Sequence, residues 1–343
     1  MPARPLIALA AAVALLTVAA GCGSAADEES ASPDGTVTVY SGRAEDLVAP
    51  LFEQFTEETG IEVEVRYADT ASTATTLLEE GDRTPADVFL SQDAGALGVV
   101  GRAGLLAELP AEVTDLVPER YRATDGRWVG LTGRARVIAY DPRQVPEAEL
   151  PTEIADVNDP RWAGKVGVAP TNASFQSFVT ALRVTEGDDG AKAFLDGLVA
   201  NDVQIREGNS QILADVESGT LAMGLINHYY WYEQGAELGG TDRLTSRLLY
   251  LKDGGAGSLV NVSGVALTNR ADDDARRLVD YLLDPAGGQE FFATVTQEYP
   301  LVEGVEPASE LVPLDELNPP AIDLSDLDSL ERSVEMITEA GLA

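Results

Sequence analysis

Residues 36–68, "TVTVYSGRAEDLVAPLFEQFTEETGIEVEVRYA", establish the fold class of this chain. The segment begins with a strand of alternating apolar residues, continues with an amphipathic helix and ends with a second alternating strand. Apolar residues recur at helical spacing from Leu47 to Phe55, and Gly60 is the glycine typical of a helix end. Strands that alternate with helices predict a parallel α/β sheet, because parallel strands need a long crossover connection.

The same alternation of strands and helices continues along the chain. Further strands are predicted in "ADVFLSQDAG", "RWVGLTGRARVIAYD", "GKVGVAP", "DVQIREG", "LAMGLI" and "SGVALTN". Polar clusters follow four of the strands, at residues 41–43, 91–93, 170–174 and 227–230. Ligands of open α/β sheets bind at the carboxyl ends of strands. We therefore expect these clusters to line one cleft, which suits a binding protein and an enzyme equally well.

Residues 1–21 have the pattern of a secretory signal peptide. Arg4 precedes the apolar run "LIALAAAVALLTVAA", which is too short for a confident membrane span. Cys22, the only cysteine, directly follows three small residues, and this arrangement resembles a bacterial lipobox. The resemblance implies a lipid anchor on Cys22, at the cell surface or the periplasmic face of the cytoplasmic membrane. The alternative is an ordinary signal peptide with a chance cysteine nearby. Residues 22–35 are polar and acidic, and we expect a disordered tether.

Composition excludes several classes of function. The formal net charge is −35, with 58 acidic and 23 basic residues, which argues against nucleic acid as a partner. With no cysteine after Cys22, the mature domain has neither disulfides nor thiolate metal sites. The single histidine, His228, excludes metal sites with several histidines, and no GxSxG motif is present.

The segment "LINHYYWYEQG", residues 225–235, is the strongest candidate for a binding site. Phenolate oxygens suit ferric ion, a hard acid, but a free phenol has a pKa of about 10, so a bound cation must displace its proton. Tyr229 and Tyr230 can meet one ion only if the strand ends there, because adjacent strand residues face opposite ways. The alternative is an aromatic cluster packed in the core, which is our expectation for Trp231 and Tyr232. We expect His228 to be a neighbour of the site rather than a ligand.

Several segments together resemble a known family. "VTVYSGR", "FTEETGIEVEV", "LLEEGDRTPADVF", "LTGRARVIAYD", "RWAGKVG", "INHYYWY" and "QEYPL" are similar, in order and spacing, to segments of periplasmic ferric-ion-binding proteins. These are the solute receptors of iron(III) ABC importers. The resemblance implies a two-lobed periplasmic-binding-protein (Venus flytrap) α/β fold with two interlobe crossings, near residues 136–141 and 261–267. The first lobe would then comprise residues 36–135 and 268–310. The second would comprise residues 136–267 and 311–343, with the tail returning to it as a helix.

The resemblance implies that Tyr229 and Tyr230 are the iron ligands. Other ligand positions of the family are changed: Ala44 stands where some members have histidine, and Phe175 where certain members have a third tyrosine. A glutamate ligand of some members falls on Gln92, beside Asp93, and a tyrosine of others falls on Glu45. The remaining coordination sites would be filled by Glu45, Gln92 or Asp93, by an anion, or by water.

The same resemblance implies a synergistic anion, such as carbonate, bound together with Fe3+. Asn227 matches an anion-binding residue of the family. Arg43 lies where a strand ends and a helix starts, a position that favours anions. Further candidates are Asn209, Arg134 and the loop residues Asn172, Ala173 and Ser174. Asn209 and the loop could equally be helix caps, and Arg134 or Arg136 could make salt bridges instead.

The sequence therefore predicts capture rather than catalysis. Two lobes would close on ferric ion and deliver it to an ABC permease, and we expect a monomer. Two alternatives stay open: a receptor for a small anion, such as a phosphonate or carboxylate, and a secreted α/β hydrolase.

Overall fold

The computed structural model describes residues 35–307, 311–328 and 330–343. The predicted signal peptide, Cys22 and all but the last residue of the predicted tether lie outside this range. Within it, no helix is both long enough and apolar enough to cross a membrane.

The strands and helices of the described residues alternate as the sequence predicts. The strands are β1 Thr36–Ser41, β2 Glu62–Tyr67, β3 Val88–Ser91, β4 Val129–Tyr140, β5 Val166–Val168, β6 Gln204–Ile205, β7 Met223–Asn227, β8 Arg247–Leu249, β9 Val260–Leu267 and β10 Tyr299–Pro300. The α-helices are α1 Glu45–Thr59, α2 Thr70–Glu80, α3 Ala94–Arg102, α4 Ala111–Thr114, α5 Ala173–Ala200, α6 Asn209–Ser218, α7 Tyr229–Leu238, α8 Asp273–Leu283, α9 Gly288–Thr294 and α10 Leu330–Glu339. Helix α1 ends as predicted, at Gly60 in the left-handed conformation.

The strands form two sheets that share strand β4. In the first sheet, β1 runs parallel to β2 and β3, and β3 pairs with β9, which pairs with residues 129–135 of β4. In the second sheet, residues 136–140 of β4 pair with β7 and β8, and β5 runs parallel to β6 and β7. Strand β4 thus passes from one sheet to the other between Ala135 and Arg136.

The sheets are mixed rather than wholly parallel. The shared strand β4 is antiparallel to β7, β8, β9 and β10, and β9 is antiparallel to β3. Buried strands read as continuous apolar runs in either direction, so sequence periodicity does not reveal their orientation. Strand β9 lies in the first sheet along its whole length, so the chain returns to that sheet before Val260.

The C-terminal segment, residues 324–343, contacts the helices of both sheets. A short 3-10 helix at Leu324–Asp328 packs on α3, and α10 packs on α5. The contact with α3 depends on Gly95, because a Cβ there would lie 2.2 Å from the carbonyl oxygen of Leu327. The contact with α5 includes a 2.7 Å hydrogen bond between the Thr180 and Ser333 hydroxyls.

Candidate functional site

The two adjacent tyrosines lie at the start of a helix. Strand β7 ends at Asn227 and α7 begins at Tyr229, so the chain turns between the strand and the pair. The rings of Tyr229 and Tyr230 stack, with centroids 4.4 Å apart and planes 28° apart. Tyr229 is buried and Tyr230 half-buried. The sequence analysis required the strand to end before the pair if both phenols are to face one ion, and the turn meets this requirement.

The surroundings of Tyr229 favour the neutral form of its phenol. The pKa of Tyr229 lies well above its ordinary value of 10, first because the side chain is buried and then because of Tyr230. Glu298 raises this pKa further, whereas the positive charge of Arg134 opposes the rise. A ligand that binds the phenolate oxygens must therefore supply enough positive charge to displace the protons.

The residues beside the pair are buried and pack around it, and they do not add to the candidate metal ligands. His228 is fully buried, and its Nδ1 accepts a 3.2 Å hydrogen bond from the backbone N–H of Ala135. Its ring stacks on Tyr299 at 4.7 Å, and burial lowers its pKa to about 4, so it is neutral. Trp231 donates a 2.9 Å hydrogen bond to the Ser246 hydroxyl, and Tyr232 packs edge-to-face against Trp231. Both side chains are part of the core, as the sequence predicts.

Arg43 is held by a carboxylate that the sequence reasoning did not assign. Its Nη1 and Nη2 donate to Oε1 and Oε2 of Glu298 at 2.9 and 3.0 Å, and both side chains are buried. Burial alone would lower the pKa of Arg43, but Glu298 raises it, with smaller contributions from Tyr229 and Tyr230. Arg43 therefore faces the tyrosine pair as a fixed positive charge whose guanidinium fork is already occupied.

Arg134 links this ion pair to the end of strand β3. Its Nε lies 3.8 Å from Oε1 of Glu298, and its Nη2 donates to the backbone oxygen of Gln92. Asp93 caps α3, because its Oδ1 accepts a 3.0 Å hydrogen bond from the N–H of Ala96. Burial raises the pKa of Asp93, and its Oδ2 has no hydrogen-bond partner among the described residues.

The other first-sheet candidate, Glu45, is the first residue of α1 and is exposed. In the described part of the chain, no group of three or more His, Cys, Asp or Glu side chains is placed to hold a metal ion.

A second polar cluster gathers residues from β4, α5 and α6. The Ser174 hydroxyl lies at its centre and receives hydrogen bonds of 3.3 Å from Nη1 of Arg136 and from Nδ2 of Asn209. Asn172 caps α5 by accepting from the N–H and the hydroxyl of Ser174 at 3.0 and 2.6 Å. The strand pairing sets Asn227 directly opposite Arg136. Three of the predicted anion-binding residues therefore meet at Ser174 or beside its arginine, and Ala173 starts the same helix.

Arg136 is a buried cation without a carboxylate partner in this cluster. Its side chain is 4% exposed, and its Nε and Nη2 have no hydrogen-bond partner among the described residues. Its guanidinium lies 5.8 and 5.2 Å from the ring centroids of Phe175 and Phe178. Burial lowers its pKa to about 9, while Tyr230 acts in the opposite direction. An anion bound here would satisfy the two free nitrogens and restore the charge balance.

Three residues of this region were missed or left unassigned at the sequence level. Glu298 lies in the quoted segment "QEYPL", where an acid directly before the apolar run 299–302 was the available signal. The sequence left Arg136, like Arg134, open between assisting Arg43 in anion binding and making a salt bridge. Glu233 follows Tyr229 by one turn of α7, and burial, with Glu298 as the next cause, raises its pKa to about 7. The two charges that act on it most strongly, Glu298 and Arg43, lie far away in sequence, so no local pattern marks it.

Comparison with known proteins identifies what this architecture resembles. The profile of the bacterial extracellular solute-binding protein family matches residues 83–321. A protein of Serratia marcescens described as an Fe(3+)-binding periplasmic protein is 32% identical over 316 residues. That alignment covers 92% of this chain and 93% of the relative.

The fold of this chain is also similar to solved structures of iron-bound proteins. Iron-bound HitA from Pseudomonas aeruginosa superposes with a TM-score of 0.82 at 34% identity, over 90% of this chain and 99% of that one. A Trichodesmium protein (IdiA, FutA) in complex with iron and citrate superposes with a TM-score of 0.76 at 28% identity, over 90% and 100%.

Proposed function

This chain belongs to the bacterial extracellular solute-binding protein family, and we propose that it captures ferric iron outside the cytoplasm and delivers it to an ABC permease. The names of its relatives and the iron-bound neighbouring structures support this proposal. Its role is capture, and no chemical step on the cargo is required of it.

The observation that carries the proposal is the tyrosine pair. Two stacked phenols at the start of α7 offer two oxygens to one ion. The raised pKa of Tyr229 means that its oxygen becomes anionic only when a strong Lewis acid binds. Ferric ion prefers such hard anionic donors, whereas the neutral, buried His228 offers no advantage to it. Tyr229 and Tyr230 are therefore the ligands that we assign to iron.

An anion completes the coordination in this proposal. The unpaired nitrogens of Arg136, together with Ser174 and Asn209, provide a site for carbonate or a carboxylate beside Tyr230. The complex of the Trichodesmium relative with iron and citrate supports an anionic co-ligand. Glu45, Gln92 and Asp93 remain the candidates for further ligands from the first lobe. Arg43 serves as a fixed charge opposite the phenolates rather than as a bidentate anion clamp.

We assign the lobes to the two sheets. The first comprises residues 36–135 and 268–310 and the second residues 136–267 and 311–343, except that β9 joins the first because it pairs there. Strand β4 and the segment before Val260 are then the two crossings. Arg43, from the first lobe, faces Tyr229 and Tyr230 from the second, and opening about these crossings would separate them.

The chain acts at the outer face of a membrane in this proposal. After removal of residues 1–21, lipidation of Cys22 would hold a monomeric receptor there through the acidic tether. The anchor keeps the receptor close to its permease, which raises the effective concentration for docking.

A second candidate function is supported by Arg136. A buried guanidinium with two free nitrogens is also what a receptor for a small organic anion needs. Such a receptor would bind a phosphonate or carboxylate without iron, and the tyrosines would pack against it.

Titration of the purified, metal-free protein with ferric ion in bicarbonate distinguishes the two functions. We expect a visible phenolate-to-iron charge-transfer band that saturates at one iron per chain. The band should be lost in the Tyr229→Phe, Tyr230→Phe double variant and retained in Tyr232→Phe, which alters a core tyrosine of the same helix. A colourless protein that binds a carboxylate or phosphonate in calorimetry supports the anion receptor instead.

A further inference from the structure

A groove remains between the helices of the two sheets, away from the tyrosine pair. It has a volume of about 800 Å³ and lies between α2 and α3 on one wall and α10 on the other. Its floor and walls are mainly small or apolar, with Ala74, Leu78, Val99, Leu330 and Val334 among the side chains. Leu78 and Val334 are 41% and 36% exposed, and because both line this groove they present apolar surface to solvent in one place.

The rim of the groove carries negative charge. Glu331, Glu335 and Glu339 lie one turn apart along α10 and all line the groove, and among its described lining residues there is no lysine or arginine. Arg332 reaches Glu335 and Glu339 from outside the groove, at 3.0 and 3.4 Å. These pairs are solvent-exposed, so a basic partner can displace them at little cost.

The groove therefore combines an apolar floor with an acidic edge, both running along a helix. Helix α10 has ten residues and is about 15 Å long, which matches about three turns of a partner helix. We propose that this groove docks an amphipathic helix of the permease that carries lysine or arginine beside its apolar face. The proposal rests on the proposed function for the kind of partner, but not on the identity of the cargo.

The position of the groove would let a docked helix distinguish the loaded receptor from the empty one. Helices α2 and α3 belong to the first sheet, whereas α10 packs on α5 of the second. Any movement of one lobe relative to the other therefore changes the width of the groove. A helix that fits the closed width would bind the loaded receptor better than the open one, which is how a permease can select it.

Photo-crosslinking in cells tests the occupant. A photoreactive phenylalanine is placed at position 334, and at position 199 as the control, since Val199 is also an exposed helical valine but lies outside the groove. We expect position 334, and not position 199, to give an adduct with a transmembrane subunit, mapped by mass spectrometry to a basic amphipathic segment. An adduct with a second copy of this chain, with an anionic lipid or with an acidic segment overturns the proposal, and so does the absence of any adduct.

Uptake of radioactive iron in the same cells tests the consequence. Val334→Asp should lower uptake about tenfold, because a charge in the apolar centre of an interface removes a dominant contact. Val199→Asp should leave uptake unchanged, and both purified variants should keep the iron affinity of the parent chain. Normal uptake by Val334→Asp at equal protein level contradicts the groove proposal. Failure of the parent chain to bind iron contradicts the proposed cargo. In that case the crosslinking result alone still tests whether a permease helix docks in the groove.

Discussion

Replacing Glu298 by glutamine should destabilise the folded chain more than any surface change of the same size. The carboxylate is 1% exposed, is bound by both terminal nitrogens of Arg43 and lies 3.8 Å from Nε of Arg134. Glu298→Gln keeps the shape but leaves two buried guanidinium groups without a counter-charge. Breaking one partner of a buried ion pair costs about 3–5 kcal/mol of the free energy of unfolding.

Urea denaturation at pH 7 measures this cost. The control is Glu335→Gln, which removes a carboxylate from an exposed pair with Arg332 and should change the midpoint little. Adding Arg43→Met to Glu298→Gln should restore part of the lost stability, because one stranded charge is then removed. A loss below about 1 kcal/mol for Glu298→Gln, the size expected of a surface pair, would refute the reasoning.

The same ion pair predicts a pH dependence with a definite sign. Burial alone raises the pKa of Glu298, but Arg43, through its charge and its hydrogen bonds, and Arg134 bring it below its ordinary 4.5. A lowered folded-state pKa stabilises the protein above pH 4.5, and this stabilisation is lost as the pH falls toward the folded-state value. The difference in stability between the parent chain and Glu298→Gln should therefore shrink in acid.

Three further predictions concern the site and the C-terminal segment. Binding of one ferric ion should release about two protons, from Tyr229 and Tyr230, in a weakly buffered indicator titration. The affinity for iron should therefore decrease as the pH decreases, and the absence of proton release excludes phenolate ligation. Arg136→Met should raise the Kd for iron in bicarbonate about 10–100-fold, and an unchanged Kd argues against the anion site. The same variant should raise the thermal midpoint of the iron-free protein, because it removes an unpaired buried charge. Gly95→Ala should cost about 1–3 kcal/mol in urea denaturation through its clash with the C-terminal segment, whereas Gly101→Ala, whose nearest contact would be 3.6 Å, should be tolerated; equal effects contradict the proposed role of Gly95.

Local patterns predicted the elements of the fold well. The alternating strands around Thr36–Tyr67, the helix that ends at Gly60 and the strand that ends at Asn227 all follow from residue periodicity and glycine chemistry. The turn before Tyr229 was required by the chemistry of a shared ion before it was observed. Sheet membership was beyond such reasoning, because the pairing of β9 with β3 joins residues far apart in the chain.

The same limit applies to the site. The Arg43–Glu298 pair spans 255 residues, so nothing near Arg43 in the sequence indicates that its guanidinium is already bound. Asp93 has the residue type of a ligand and of a helix cap, and only the geometry shows that it caps α3. The polar cluster at Ser174 draws on three segments of the chain, and its free arginine nitrogens are a property of packing rather than of any motif.

A crystal structure of the protein grown with ferric ion and bicarbonate, with anomalous data collected on both sides of the iron edge, tests the assignment of the metal site. We expect one iron peak bonded to the phenolate oxygens of both Tyr229 and Tyr230, with an anion between the iron and Arg136. An iron peak that contacts neither tyrosine, or an anion at Arg136 in crystals that hold no iron, would contradict the assignment.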